Sequence, residues 1–156
     1  MGQIKGNTDG ASAGNPGPSG IGISFRDYKG EFLTVIYQGI GIMRNYWAEC
    51  LAILTAAEFA VLKEWKNIWL ESDSSVVVAA FNSGKVPCQF KNRWLRCKAA
   101  LENISISQIW REANLVADQA SKMGVLFQND FVYVCNEKPE WVRQWEVPYG
   151  GYSGLS

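Results

Sequence analysis

The sequence predicts an α/β domain in which a five-stranded mixed sheet carries helices on both faces. The first 40 or so residues alternate apolar with small or polar side chains at the two-residue period of strands. From about residue 46 onward, apolar residues recur at helical spacing between short apolar runs. The element order is three strands, a helix, a strand, two helices, a strand and a helix, and right-handed crossovers bring such strands into one sheet.

The first three strands are expected to form an antiparallel meander. Residues 4–9 predict a short strand, and the glycine- and proline-rich segment 10–20 predicts a loop made of successive turns. Alternating apolar residues predict a second strand at 21–25. The segment 27–30 is typical of a hairpin turn that leads into a third strand at 31–40.

The second half of the chain alternates helices with strands. Trp47, Leu51, Leu54 and Val61 lie at helical spacing. The predicted elements are a helix at 46–64, a strand at 67–72, helices at 74–81 and 90–102, a strand at 104–110, and a helix of a dozen residues from 113. Residues 1–126 are therefore expected to form one domain. Residues 127–156 are expected to be an aromatic tail that packs on it, with the last ~6 residues frayed.

Composition excludes several classes of mechanism and location. The 156 residues include no histidine, which excludes imidazole catalysis and His-ligated zinc. The 15 basic and 15 acidic residues give a formal net charge of zero. Four cysteines without a CxxC pair favour free, buried thiols in a reducing compartment. No apolar run is long enough to span a membrane, and no apolar signal-peptide core opens the chain. The free thiols favour an intracellular protein, in the cytoplasm or nucleus and not secreted.

Four carboxylates are placed to meet at one edge of the predicted sheet. Asp9 ends the first strand and Asp73 follows the fourth, and these strands are expected to be parallel neighbours. Glu49 in the long helix and Asp118 in the last helix can approach the same edge. Clustered oxygen ligands without histidine favour Mg²⁺ or Mn²⁺, and two such ions suit displacement at phosphorus. Taken singly, each acid also fits a turn, a helix cap or a helix-dipole contact.

The same acids lie within four segments whose motifs occur in a consistent order. The segments are Asp9-Gly10-Ala11-Ser12 with Asn15-Pro16-Gly17-Pro18, then Asn45-Tyr46-Trp47-Ala48-Glu49, then Glu71-Ser72-Asp73-Ser74, and finally Arg111-Glu112-Ala113-Asn114 with Ala117-Asp118. Together they resemble type 1 ribonuclease H domains, over about residues 3–125. The most similar subgroup comprises plant and archaeal-like members, including domains attached to reverse transcriptases of plant LINE-type retrotransposons.

The resemblance implies a ribonuclease H-like fold and an endonuclease that hydrolyses the RNA strand of RNA–DNA hybrids. It implies two Mg²⁺ ions, with Mn²⁺ as a substitute, held by Asp9, Glu49, Asp73 and Asp118. It also implies substrate contacts, for which the candidates in this sequence are Gly10, Ala11, Ser12, Asn15, Asn45, Lys91 and Arg93. The natural context would be a reverse transcriptase or larger polyprotein, and the isolated domain is expected to be a monomer without a membrane partner.

Two features leave alternatives open. Many relatives carry a histidine ten residues before the last aspartate, where this chain has Gln108. Arg111 matches archaeal-like members and would hold the scissile phosphate or help the product leave, or else pair with Glu112 or a neighbouring acid. The basic residues of 85–98 would either grip the substrate or form a solvated helix face. A catalytically weakened module that binds hybrid without cleaving it efficiently is the main alternative function, and a relative that cuts or joins DNA is a third.

Overall fold

A six-stranded mixed sheet forms the centre of the protein. The computed structural model describes residues 2–129 and 131–146. The strands are β1 (Ile4–Ser12), β2 (Gly17–Arg26), β3 (Phe32–Met43), β4 (Asn67–Ser72), β5 (Asn103–Gln108) and β6 (Val132–Cys135), in the spatial order β5-β4-β1-β2-β3-β6. β1, β4 and β5 are parallel neighbours, whereas β2, β3 and β6 are joined antiparallel to one another and to β1.

Helices cover both faces of this sheet. They are α1 (Asn45–Leu62), α2 (Ser75–Asn82), α3 (Cys88–Ala100), α4 (Leu115–Leu126) and α5 (Glu140–Trp145), and a 3₁₀ turn at Arg111–Ala113 precedes α4. α1 packs on β1, β2 and β4 over the larger core, and α4 packs on the opposite face against β1, β2 and β3. The predicted α/β class and the element order through α4 are confirmed.

The predicted count of five strands is wrong, because the segment after α4 adds a strand to the sheet. β6 pairs antiparallel with β3 from Val35 to Gln38, and Tyr133 stacks on Tyr37 with ring centroids 4.8 Å apart. Beyond it, Val142 of α5 is fully buried against Val35 and α4. The alternation in 132–135 is too short to distinguish a strand from a packed tail in sequence alone. The last residues, where fraying was predicted, lie outside the described ranges.

The predicted loop at 10–20 is also wrong, because most of its glycines lie inside strands. β1 continues to Ser12 and β2 begins at Gly17, so the connection is only four residues long. A Cβ on Gly10 would lie 2.4 Å from the carbonyl carbon of Ala48 in α1, and one on Gly20 would lie 2.3 Å from the amide nitrogen of Val125 in α4. These glycines are therefore required for close approach of helices to the sheet rather than for turns.

The burial of the cysteines agrees only in part with the prediction from sequence. All four cysteines are free thiols; Cys50 and Cys97 are buried, Cys135 is half-buried, and Cys88 is exposed, which differs from the expected burial. Trp94, the tryptophan among the basic residues of α3, is buried and packs edge-on against Phe81. None of the helices within the described ranges is long and apolar enough to cross a lipid bilayer.

Candidate active site

Strand register places Asp9 and Asp73 side by side. Thr8 and Ser72 form the last pair of the parallel β1–β4 ladder; Asp9 is the next residue of β1, and Asp73 is the first residue after β4. Because parallel strands end at the same edge of a sheet, both carboxylates emerge there, as the sequence predicted. Asp9 is 5% exposed, since β1 continues past it alongside β2, where its partner is Gly22.

Glu49 reaches the same edge from α1. The absence of a side chain at Gly10 lets the first turns of α1 lie against β1, and the Gly10 backbone N–H donates a hydrogen bond of 2.8 Å to Glu49 Oε1. Glu49 is 6% exposed. The glycine thus has two effects: it admits the helix, and its amide fixes the carboxylate that the helix brings.

Asp9, Glu49 and Asp73 form an acidic trio. Each offers a carboxylate oxygen, and the three oxygens lie within 4.8 Å of one another. Burial, followed by the charges of Glu49 and Asp73, raises the pKa of Asp9. Burial and the charge of Asp73 raise the pKa of Glu49, against the Gly10 N–H and Arg111, which lower it. Such crowded carboxylates repel one another, and a divalent cation held between them would reverse that repulsion.

Asp118 lies beside the trio rather than within it. It occupies the first turn of α4 and forms a salt bridge of 3.0 Å with Lys122 one turn later. Its negative charge nevertheless contributes to the raised pKa values of Asp9 and Asp73. Three of the four predicted acids are therefore brought together, and the fourth is close enough to act on them electrostatically.

Arg111 supplies positive charge at this edge. It begins the 3₁₀ turn between β5 and α4 and is exposed. Its positive charge lowers the pKa values of both Glu49 and Asp73. Within the described ranges it makes no salt bridge with Glu112, the pairing considered as its alternative role. A cation in this position can bind an anionic group that approaches the acids.

Ser121 of α4 contacts Asp9 of the trio, a contact that no motif in the sequence predicts. Its hydroxyl oxygen lies 2.9 Å from Asp9 Oδ2 and 2.8 Å from the backbone oxygen of Asp118, and the residue is fully buried. The available signal was the i, i+3 spacing from Asp118, which places both residues on one helix face. That spacing is common in helices, so it could not single out the serine.

The other predicted contact residues divide into two groups. Near the site, the Asn45 backbone N–H donates to the Asn15 side-chain oxygen at 2.9 Å, and Ser12 shares a hydrogen bond of 2.6 Å with Ser19. Gly10, Ala11 and Ser12 follow one another along the end of β1. On α3, the Lys91 ammonium bonds the backbone oxygen of Gly84, and Arg93 forms a two-pronged ion pair with Glu58 of α1 at 2.9 and 2.7 Å.

Comparisons with known proteins show the family to which this chain belongs. Residues 7–124 match a family described as "Reverse transcriptase-like", a span that includes all four predicted acids. A ribonuclease H of Chlorobium phaeovibrioides is 37% identical over 102 residues, which are 65% of this chain and 67% of that protein. The chain belongs to the ribonuclease H family. It is also 34% identical over 124 residues to an Arabidopsis thaliana protein named for ribonuclease H, covering 76% of this chain but only 20% of that protein.

Solved ribonuclease H structures share the fold. The RNase H1 of the halophilic archaeon Halobacterium salinarum superposes with a TM-score of 0.74 at 26% identity, over 80% of this chain and 98% of that one. LC11-RNase H1 in complex with an RNA/DNA hybrid superposes with a TM-score of 0.66 at 26% identity, over 78% and 96% of the two chains. The resemblance to type 1 ribonucleases H is therefore confirmed for the fold and the family.

Proposed function

We propose that this ribonuclease H domain hydrolyses the RNA strand of RNA–DNA hybrids with divalent metal ions held by its acidic cluster. The observation that carries the proposal is the convergence of oxygens from Asp9, Glu49 and Asp73 within 4.8 Å. The relatives named ribonuclease H and the LC11-RNase H1 complex with an RNA/DNA hybrid support the choice of substrate. The products would carry 5′-phosphate and 3′-hydroxyl ends.

The donor set favours two Mg²⁺ ions, for which Mn²⁺ would substitute. Carboxylate oxygens are the ligands of hard cations, and the cluster of Asp9, Glu49 and Asp73 contains no histidine or thiol. As the resemblance to type 1 ribonucleases H implies, Asp9 would help to hold both ions, Glu49 and Asp73 would hold one of them, and Asp118 would hold the other. When bound, such a pair activates a water nucleophile and stabilises the leaving oxygen of an in-line displacement. For Asp118 to bind a metal ion, its salt bridge with Lys122 would have to break, or Asp118 would have to bind Lys122 and the ion together.

Arg111 is proposed to hold the scissile phosphate. An exposed guanidinium whose charge already acts on Glu49 and Asp73 can neutralise phosphate oxygens beside the acids. Gln108, which stands where many relatives carry a histidine, pairs with Ser72 at the end of the β5–β4 ladder and has no titratable proton. The positive charge of Arg111 would therefore favour binding of the phosphate and departure of the product, without acting as an acid.

The proposed hybrid-binding surface lies around the β1–β2 connection and the start of α1. Asn15 and Asn45 are exposed and joined by a hydrogen bond, so they can present one polar edge to the minor groove of the hybrid. Gly10, Ala11 and Ser12 lead from this edge to the acids. On α3, Lys91 remains exposed, whereas Arg93 would have to leave Glu58 in order to reach a phosphate.

A longer parent polypeptide and an intracellular location are also proposed. The chain spans a fifth of the length of its Arabidopsis relative, and the matched family is described as reverse transcriptase-like. These two facts support an attachment to a reverse transcriptase or retrotransposon polyprotein. Free cysteines and a nucleic-acid substrate support a reducing compartment, the cytoplasm or nucleus.

The deciding experiment is cleavage of a 5′-labelled RNA–DNA hybrid with Mg²⁺, with Mn²⁺ or with neither, beside single-stranded RNA, double-stranded RNA and double-stranded DNA. We expect metal-dependent cutting of the hybrid alone. Asp9→Asn should abolish it, and Glu102→Gln, a surface acid remote from the site, should not. Salt-dependent binding of the hybrid without cutting under any metal would refute the enzyme and leave a module that only binds hybrid.

A further inference from the structure

We propose that Ser121 is a positioning residue that fixes the orientation of the Asp9 carboxylate within the metal-binding cluster. The inference rests on the proposed metal-dependent function. The Ser121 hydroxyl is fully buried, and its oxygen lies 2.9 Å from Asp9 Oδ2 and 2.8 Å from the backbone oxygen of Asp118. The Ser121 side chain thus links Asp9 on β1 to the turn of α4 that carries Asp118.

The backbone around Ser121 is fixed against the sheet. Gly22 is the β2 partner of Asp9, and a Cβ added to Gly22 would lie 2.4 Å from the Ser121 backbone nitrogen and 2.5 Å from the Ala117 oxygen. α4 therefore lies directly on β2 beside Asp9, with no intervening side chain. The Ser121 backbone cannot retreat from Asp9 unless the whole helix moves.

A donor on one oxygen restricts how the carboxylate can turn. The terminal torsion of an aspartate is broad, so an unconstrained Asp9 could present either oxygen at many angles. The Ser121 hydrogen bond restrains Oδ2 and with it the plane of the whole carboxylate, which a cation shared with Glu49 and Asp73 would use. Since the hydroxyl has a single hydrogen and a charged acceptor forms the stronger bond, a metal-bound Asp9 would take it in preference to the Asp118 carbonyl.

The ordinary alternative is that Ser121 only satisfies its own helix. Serines within helices often donate a hydrogen bond to a backbone oxygen of the preceding turn, and the contact of Ser121 with the Asp118 oxygen fits that pattern. In that case the distance to Asp9 would have no effect on the metal. The two roles differ in their consequence for metal affinity, which is measurable without any cleavage assay.

The test compares Ser121→Ala with Ser24→Ala, a serine that is 2% exposed on β2, two residues along from Gly22. Mg²⁺ binding is measured by calorimetry and by the Mg²⁺-induced rise in Tm. Partners that orient metal ligands typically contribute about 10–100-fold to affinity, so we expect Ser121→Ala to weaken Mg²⁺ binding by about 10-fold or more. Ser24→Ala should bind Mg²⁺ as the wild type does. The Mg²⁺ concentration for half-maximal hybrid cleavage should rise in parallel for Ser121→Ala.

A second variant separates hydrogen bonding from packing. Ser121→Cys fills the same space with a weak donor, so a positioning role predicts that Mg²⁺ affinity stays low, whereas a packing role predicts recovery. Wild-type Mg²⁺ affinity in Ser121→Ala, or full recovery in Ser121→Cys, overturns the inference while leaving the proposed function intact. A wild-type protein that neither binds Mg²⁺ nor cleaves hybrid overturns both.

Discussion

The most demanding test of how this fold builds its site is the substitution Gly22→Ala in β2. The added methyl carbon would lie 2.4 Å from the Ser121 nitrogen, 2.5 Å from the Ala117 oxygen and 2.6 Å from the Ala120 Cβ, whereas ordinary contacts begin near 3.4 Å. Two of these atoms belong to the helix backbone, which cannot rotate away. α4 must therefore retreat from the sheet by about 1 Å.

The retreat has consequences for both stability and activity. Alanine in a strand without close neighbours would stabilise the fold by roughly 0.5–1 kcal/mol relative to glycine. Overpacking in a core instead costs about 1–3 kcal/mol, which exceeds that gain over most of its range, so we expect a net loss of up to about 2.5 kcal/mol and a fall in Tm of up to roughly 10 °C. Because Asp118 and Ser121 move with α4, and a 1 Å misplacement can cost about 100-fold in rate, hybrid cleavage should fall by about that factor.

Gly6→Ala is the matched control. It makes the same change in the neighbouring strand β1, but there the methyl group would meet the Leu70 Cδ2 at 2.8 Å and the Phe25 ring at 2.9 Å, on the side of the larger core. Side chains can adjust, and α4 is not touched. We expect Gly6→Ala to lose stability but retain cleavage, both measured well below Tm. Gly22→Ala with unchanged stability, or with the cleavage rate of Gly6→Ala, would refute the reasoning.

Three further outcomes are expected. Because burial raises the pKa values of Asp9 and Glu49, the metal-free folded protein holds protons that the unfolded chain has released. Its free energy of unfolding, measured with urea, should therefore fall between about pH 5 and pH 8, and Asp9→Asn should make this fall smaller. Arg111→Ala should lower the cleavage rate by about 10–1000-fold, whereas Arg143→Ala, on α5, should not; equal rates would exclude the phosphate contact. Trp110, 81% exposed beside Arg111, can stack on the substrate, so Trp110→Ala should weaken hybrid binding by roughly 5–100-fold in fluorescence anisotropy, and unchanged binding would rule out stacking.

The sequence predicted the architecture best where the pattern is local and strong. β4 was predicted at 67–72 and is found at Asn67–Ser72, and α1 was predicted within two residues at each end. β6 was missed because its four residues form a strand only by pairing with β3, about a hundred residues earlier in the chain. The local periodicity of the sequence cannot indicate that β6 pairs with β3, whereas the structure shows this pairing directly.

The glycines of 10–22 show why other features could not be predicted. A glycine in sequence is equally consistent with a turn, which needs its backbone freedom, and with a close approach, which needs its lack of a side chain. Gly14 is of the first kind, with φ +102°, whereas Gly10, Gly20 and Gly22 are of the second. The difference depends on where α1 and α4 pack, and that is tertiary information.

The same limit applies to the candidate site. Asp9 and Asp73 could be placed together because strand order determines which carboxyl ends are neighbours. Arg93 was predicted to bind substrate, but it pairs with Glu58 of α1, a contact that depends on how α3 crosses that helix. Its role at the substrate stays a prediction. The contact of Ser121 with Asp9 could not be predicted, because it depends on how α4 packs on the sheet and no motif in the sequence indicates that packing.

The site is therefore assembled by two close approaches of helix to sheet, and each has its own glycine. At Gly10, α1 lies on β1 and brings Glu49, whose carboxylate the Gly10 amide then holds. At Gly22, on the opposite face, α4 lies on β2 and brings Asp118 together with the serine that bonds Asp9. Crowded carboxylates repel one another, so the helices must be held by packing that does not depend on the acids themselves. Backbone-to-backbone contact at glycine provides that support, because a helix resting on a strand with no side chain between them cannot drift outward without losing its packing.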